Sequence, residues 1–104
     1  MKYATIHPYT NELLQQFDFD AYPDIAKSQQ AFRLWRQKGV KERGDQLQQV
    51  SHLLKKNADS YARLITLEMG KPIREAQYEI AKTITAFDYY IAQAPALLAD
   101  EPMT

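Results

Sequence analysis

The sequence predicts a mostly helical segment of about four helices, preceded by a short N-terminal β-hairpin. Three observations carry this. Between residues 25 and 94, apolar side chains recur every three or four positions, the spacing of one helix face. Gly70-Lys71-Pro72 punctuates that pattern, closing one amphipathic run and opening the next. Ahead of the helical pattern lie two short β-prone runs on either side of Pro8-Tyr9-Thr10-Asn11, residues that suit a turn.

The hairpin is expected from residues 3–7 and 12–17. An isolated two-stranded ribbon is marginal in water, so it needs a surface to lie on. The first helix is expected over about residues 21–38. Asp20 is its candidate cap, with Pro23 and Asp24 in the first turn, where a missing N–H is harmless and negative charge suits the dipole. Ile25, Gln29, Phe32 and Trp35 trace its face, and Gly39, after the basic Arg36 and Lys38, is expected to end it. The second helix, about residues 41–56, presents Leu47, Val50, Leu53 and Leu54, and Gly44 costs it some propensity. Asn57 is expected to cap a third helix over residues 58–69 that buries Tyr61, Leu64 and Ile65.

Gly70 has no Cβ and can close that helix in the left-handed conformation. Pro72 suits the first turn of the next, because it has no N–H to lose there. This longest helix is expected over residues 72–94, with Ile73, Ala76, Ile80, Ile84, Phe87, Ile91 and Ala94 along one face. Pro95 should end or kink it, leaving residues 96–104 as a loop.

The 104 residues have room for one domain and not two. Thirteen basic and thirteen acidic residues balance. That argues against a nucleic-acid or anionic-membrane partner, which would leave a basic excess. With no cysteine, the sequence has no disulfide, thiolate metal site or cysteine nucleophile. No apolar run approaches the ~20 residues of a membrane span. Residues 1–6 carry one charge and no apolar core, unlike a secretory signal. A cytoplasmic chain is expected.

Residues that could carry chemistry are few. His7 and His52 lie far apart with no second histidine at ligand spacing, so a zinc site is a poor fit. Glu75 and Glu79 share a helix face and could form a carboxylate pair; Lys82 beyond them favours a solvated face with a Glu79–Lys82 ion pair. The three glycines match no phosphate-binding loop. Lys71 therefore reads as part of a helix junction, and Glu68 as a local hydrogen-bonding partner of the turn. Tyr78, Phe87, Tyr89 and Tyr90 could stack bases, but the accompanying basic surface is missing, and packing is the simpler role. No catalytic, cofactor-binding or metal-ligating residue is assigned.

Thr66-Leu67-Glu68-Met69-Gly70-Lys71-Pro72, followed by Glu75-Ala76 and Glu79-Ile80, resembles the T-x-E-x-G-K-P segment of the NAD(P)-dependent aldehyde dehydrogenases. His7-Pro8-Tyr9-Thr10-Asn11-Glu12 resembles the family's N-P-x-T-G-E turn, with His7 and Asn11 as departures. Ala31-Phe32-Arg33-Leu34-Trp35 is similar to its A-F-x-x-W helix end, and Glu42-Arg43 to its E-R pair. Leu98-Ala99-Asp100-Glu101-Pro102 is similar to a segment of the succinate-semialdehyde branch. The family's chain is several times longer, so the resemblance implies the N-terminal piece of an α/β enzyme, part of its cofactor-binding domain.

The implied reaction is oxidation of an aldehyde to a carboxylate with NAD or NADP. A cysteine thiolate, a glutamate that activates water and an oxyanion-stabilising asparagine would all lie downstream, as would the cofactor-binding motifs. What remains here is scaffold: Glu68, Gly70, Lys71 and Pro72 as a structural junction, and Lys82 or Phe87 as lining of the substrate entrance. The implied partner is the remainder of the enzyme, and no cofactor is expected to bind this segment. The alternative is a self-standing helical module that binds a partner helix through the residue 73–94 stripe. Either way the apolar faces need cover beyond what the chain supplies, so a homo-oligomer is expected.

Overall fold

The computed structural model describes residues 2–19 and 24–103. Strands β1 (Lys2–Ile6) and β2 (Leu13–Asp18) form an antiparallel pair, with Tyr3 opposite Phe17 and Ile6 opposite Leu13, and an irregularity between Thr5 and Ile6. Four helices follow: α1 (Ile25–Gln37), α2 (Val40–Lys56), α3 (Ala58–Met69) and α4 (Ile73–Leu97). This is the expected architecture, with each strand displaced by about a residue.

The hairpin turn accounts for both departures from the resembled motif. The Nδ1 atom of His7 accepts the N–H groups of Tyr9 at 3.1 Å and Thr10 at 3.3 Å, as an asparagine side chain oxygen does in an Asx turn. Asn11 takes φ 62, the left-handed region that asparagine tolerates best after glycine.

The cap of α1 is Asp24, whose carboxylate accepts the Lys27 N–H at 2.8 Å. The expected cap Asp20, and Pro23 with it, lie outside the described residues. Gly39 does not close α1. The Lys38 N–H does so, bonding to the Trp35 carbonyl at 3.1 Å, while Gly39, extended at φ −63 and ψ 158, is the N-cap of α2. With no residue to spare between two helices, the glycine serves the one that begins.

Asn57 likewise faces backward. Its side chain donates to the Leu53 carbonyl at 2.9 Å, so it satisfies the end of α2 and makes no side-chain cap for α3. Gly70 closes α3 as expected: at φ 72 and ψ 14 its N–H bonds to the Thr66 carbonyl at 2.9 Å. Pro72 is the N-cap of α4 rather than its first helical residue, extended at ψ 140, with its carbonyl accepting the Ala76 N–H at 3.0 Å. Pro95 does not end α4, which continues through it to Leu97. So near the C-terminus the proline forfeits only the bond back to Ile91, and the Leu98 N–H still reaches the Ala94 carbonyl at 2.9 Å.

The core lies where α4 crosses α3. Ala62 and Ala76 are fully buried, Ile80 nearly so, and Ala58, Ile65 and Ile84 pack around them. Two alanines at the crossing let the helix axes approach closely. Tyr61 and Leu64, expected inside, are exposed, because the buried edge of α3 runs through Ala58, Ala62 and Ile65. On α2 the buried position is Ser51, and Val50 and Leu53 face outward. Ile25 and Phe32 of α1 are exposed too. The radius of gyration is 18.6 Å over 61 × 37 × 26 Å, against about 13 Å for a compact chain of this length.

Candidate functional site

The junction between α3 and α4 and the flank of α4 that follows hold the residues singled out in the sequence. Gly70 is pressed by the hairpin turn: a Cβ built on it would stand 3.0 Å from Cγ of Pro8. The turn, the end of α3 and the start of α4 therefore meet at one point. Lys71 turns along α4 and its ammonium donates to the Glu79 carboxylate, two turns into the helix. That bond, with the charges of Glu79 and Glu75, holds the Lys71 ammonium above the usual lysine range despite some desolvation. The ion pair expected between Glu79 and Lys82 is thus replaced by Glu79–Lys71, because the extended junction lays Lys71 back along the helix.

Lys71, Arg74, Glu75, Tyr78, Glu79 and Lys82 border one open surface depression of about 670 Å³. Glu68 lies elsewhere, beside Leu14 and Phe17 of β2, and makes no hydrogen bond to the turn among the described residues. Lys82 and Phe87 are not brought together. Five residues apart, they project about 140° from each other around the helix. Lys82 faces the charged depression, while Phe87 borders an apolar cleft against α2 with Leu47 and Ile91.

A second polar cluster had no signal in the sequence. The buried Ser51 hydroxyl of α2 donates to Asp88 of α4 at 2.7 Å, and the Lys55 ammonium reaches the other oxygen of that carboxylate at 3.0 Å. The Ser51 bond, then Lys55, hold the Asp88 carboxyl below the usual aspartate range, with a smaller contribution from the charge of His52. Partners 37 and 33 positions apart on two helices leave no local pattern to read.

Among the described residues no group of three or more histidines and carboxylates is placed to hold a metal, and no helix is long and apolar enough to cross a membrane. These arrangements position helices: a glycine joint, an ammonium–carboxylate clamp along α4 and a polar tie between α2 and α4.

Known proteins share both the sequence and the arrangement. A model of the aldehyde dehydrogenase family matches residues 1–103. An NADP(+) succinate-semialdehyde dehydrogenase of Deinococcus radiodurans is 39% identical over 98% of this chain, which spans 22% of that relative. The NAD(P)+ succinate semialdehyde dehydrogenase Sad of Escherichia coli is 34% identical over 94% of the chain, again 22% of the relative. The crystal structure of succinic semialdehyde dehydrogenase from Streptococcus pyogenes, in complex with NADP+, superposes with a TM-score of 0.82 at 36% identity, covering 98% of this chain and 24% of that one. The chain therefore spans less than a quarter of the length of the relatives it matches. It belongs to the aldehyde dehydrogenase family.

Proposed function

We propose that this chain is the N-terminal quarter of a cytoplasmic enzyme that oxidises succinate semialdehyde to the carboxylate with NADP+ or NAD+, and that its own part is scaffold. The observation that carries this is the match over residues 1–103 to the family, together with relatives named as succinate-semialdehyde dehydrogenases that align to nearly the whole chain over less than a quarter of their own length. The chain has no cysteine to attack an aldehyde. Its three glycines also match no glycine-rich phosphate-binding motif. Only Gly70 among its three glycines has a positive φ, and that glycine is used against Pro8. Both facts support a reaction centre and cofactor site in the remaining three quarters. Lys82, open to solvent on the charged flank of α4, or Phe87, in the apolar cleft, is the proposed contact with the substrate entrance.

The open shape favours this reading over a self-standing module. Large apolar side chains on every helix stay exposed, and burying each is worth about 1.5–3 kcal/mol, which is large against the few kcal/mol that hold a domain this size together. The covering surface is the rest of the enzyme, with a homo-oligomer formed around it. Reading the gene past the codon for Thr104 tests the proposal. It requires an open frame that continues to a cysteine-bearing catalytic segment; a stop codon followed by an unrelated gene would overturn it.

A further inference from the structure

Arg43 sits in the first turn of α2, its backbone N–H bonded to the Gly39 carbonyl at 3.0 Å. Its side chain borders a cleft of about 170 Å³ between α2 and α4, walled by Trp35, Val40, Leu47, Tyr90, Ile91 and Leu98. Among the described residues, Arg43 is the only charged one on that wall. Its Nε atom is withdrawn from solvent and has no hydrogen-bond partner among the described residues. The neighbouring carboxylates on α2 are engaged elsewhere, Glu42 with Lys38 at 3.7 Å and Asp45 with Lys41 at 3.4 Å. A buried N–H without an acceptor costs free energy, and native structures rarely keep one. Meanwhile Leu47, Tyr90 and Leu98 stay exposed at the rim, so the cleft is open to an incoming group.

We propose that this cleft is a docking site for the remaining three quarters of an aldehyde dehydrogenase chain. A segment of that chain seats one apolar side chain against Trp35, Leu47 and Ile91 and sets a carboxylate on Arg43. The inference rests on the family reading of the chain as an N-terminal quarter. Two observations select the occupant. The chain spans 22–24% of its relatives, so most of the fold lies outside it. The same arrangement recurs at a TM-score of 0.82 within a chain about four times as long, so the helices keep this spacing where the remaining quarters are present. The volume suits one aromatic or branched side chain, being close to the roughly 150 Å³ of an apolar cavity that accepts benzene. A carboxylate is selected by charge and by shape: Nε–H and a neighbouring Nη–H lie parallel and match its two oxygens, whereas a carbonyl answers only one.

The test mixes the purified 104-residue chain with the portion of the Deinococcus radiodurans relative that follows its matched quarter. Association is read by calorimetry and by light scattering behind size exclusion. Arg43→Gln keeps an N–H donor and removes the charge, Arg43→Lys keeps the charge and loses the fork, and Arg43→Met removes both. The expected result is a one-to-one complex that Arg43→Gln and Arg43→Met weaken at least tenfold and Arg43→Lys less, while each variant alone keeps the wild-type circular dichroism spectrum. No complex with the unmutated chain would overturn the proposal. So would Arg43→Gln binding as tightly as wild type, which would assign the acceptor to a neutral carbonyl. Self-association of the chain that Arg43→Gln abolishes would assign the cleft to a second copy and equally overturn it. Succinate-semialdehyde-dependent NADP+ reduction in the same mixture reports separately on the proposed reaction, since a complex that needs Arg43 but is inactive upholds the docking and counts only against the substrate.

Discussion

Replacing Gly70 with alanine tests the joint that sets the direction of α4. At φ 72 an L-residue loses about 1–2 kcal/mol relative to a right-handed conformation. Alanine recovers some of that, about 0.4–1 kcal/mol, by restricting the unfolded chain. The new methyl would also stand 3.0 Å from Cγ of Pro8, closer than nearly all real Cβ contacts, so the hairpin turn must shift. The net expectation is a loss of about 1–2 kcal/mol, measured by urea unfolding followed by far-UV circular dichroism. Gly70→Asn separates the two causes, since asparagine tolerates the left-handed backbone but brings the same Cβ. Pro8→Ala in the Gly70→Ala background should restore part of the loss. A denaturation midpoint unchanged by Gly70→Ala would refute both the backbone argument and the contact.

Three further outcomes follow from the geometry. Gly44→Ala should stabilise α2 by about 0.5–1 kcal/mol, because its Cβ would meet Ile91 Cγ2 at an ordinary 3.6 Å while relieving the glycine penalty; a lower urea midpoint would contradict this. His7→Asn should keep the hairpin turn and His7→Ala should cost about 1 kcal/mol through two lost hydrogen bonds, with equal urea midpoints for the two variants the contrary result. Asp88 titrates lower in the folded than in the unfolded chain, so the stability it lends is present above the unfolded value of about 3.9 and is lost as pH falls through the lower folded value. Thermal melts between pH 6 and 2 should therefore show an acid loss that Asp88→Asn diminishes, and identical profiles for the two proteins would count against the α2–α4 tie.

The joint at Gly70 was legible in the sequence because a glycine before Lys-Pro leaves the backbone few alternatives, and the bounds of α3 followed from it. The stripe on α4 was legible as well, since Ala76, Ile80 and Ile84 keep helical spacing and pack as that spacing requires. Gly39 misled, and so did the side chain of Asn57, although Asn57 does stand at the N-cap of α3. Where one helix follows another within one or two residues, a capping residue can serve either end: the extended backbone puts Gly39 at the start of α2, and the Asn57 side chain turns back to Leu53. Buried faces were harder to assign on α1 and α2. A face is chosen by what covers it, and within these 104 residues Ile25, Phe32, Val50 and Leu53 stay exposed. The exchange of Lys82 for Lys71 as the partner of Glu79 came from the extended junction, which sequence spacing along a helix does not represent.

The central claim is that this chain is a scaffold quarter whose fold is completed by the rest of an aldehyde dehydrogenase. Its most direct test is a chimera in which the 104 residues replace the matched quarter of the Deinococcus radiodurans relative. Succinate-semialdehyde-dependent NADP+ reduction is followed beside the isolated chain. Reduction by the chimera and none by the isolated chain, which has no cysteine, is the expected result. A chimera that folds but does not turn over, or turnover by the isolated chain, would contradict it.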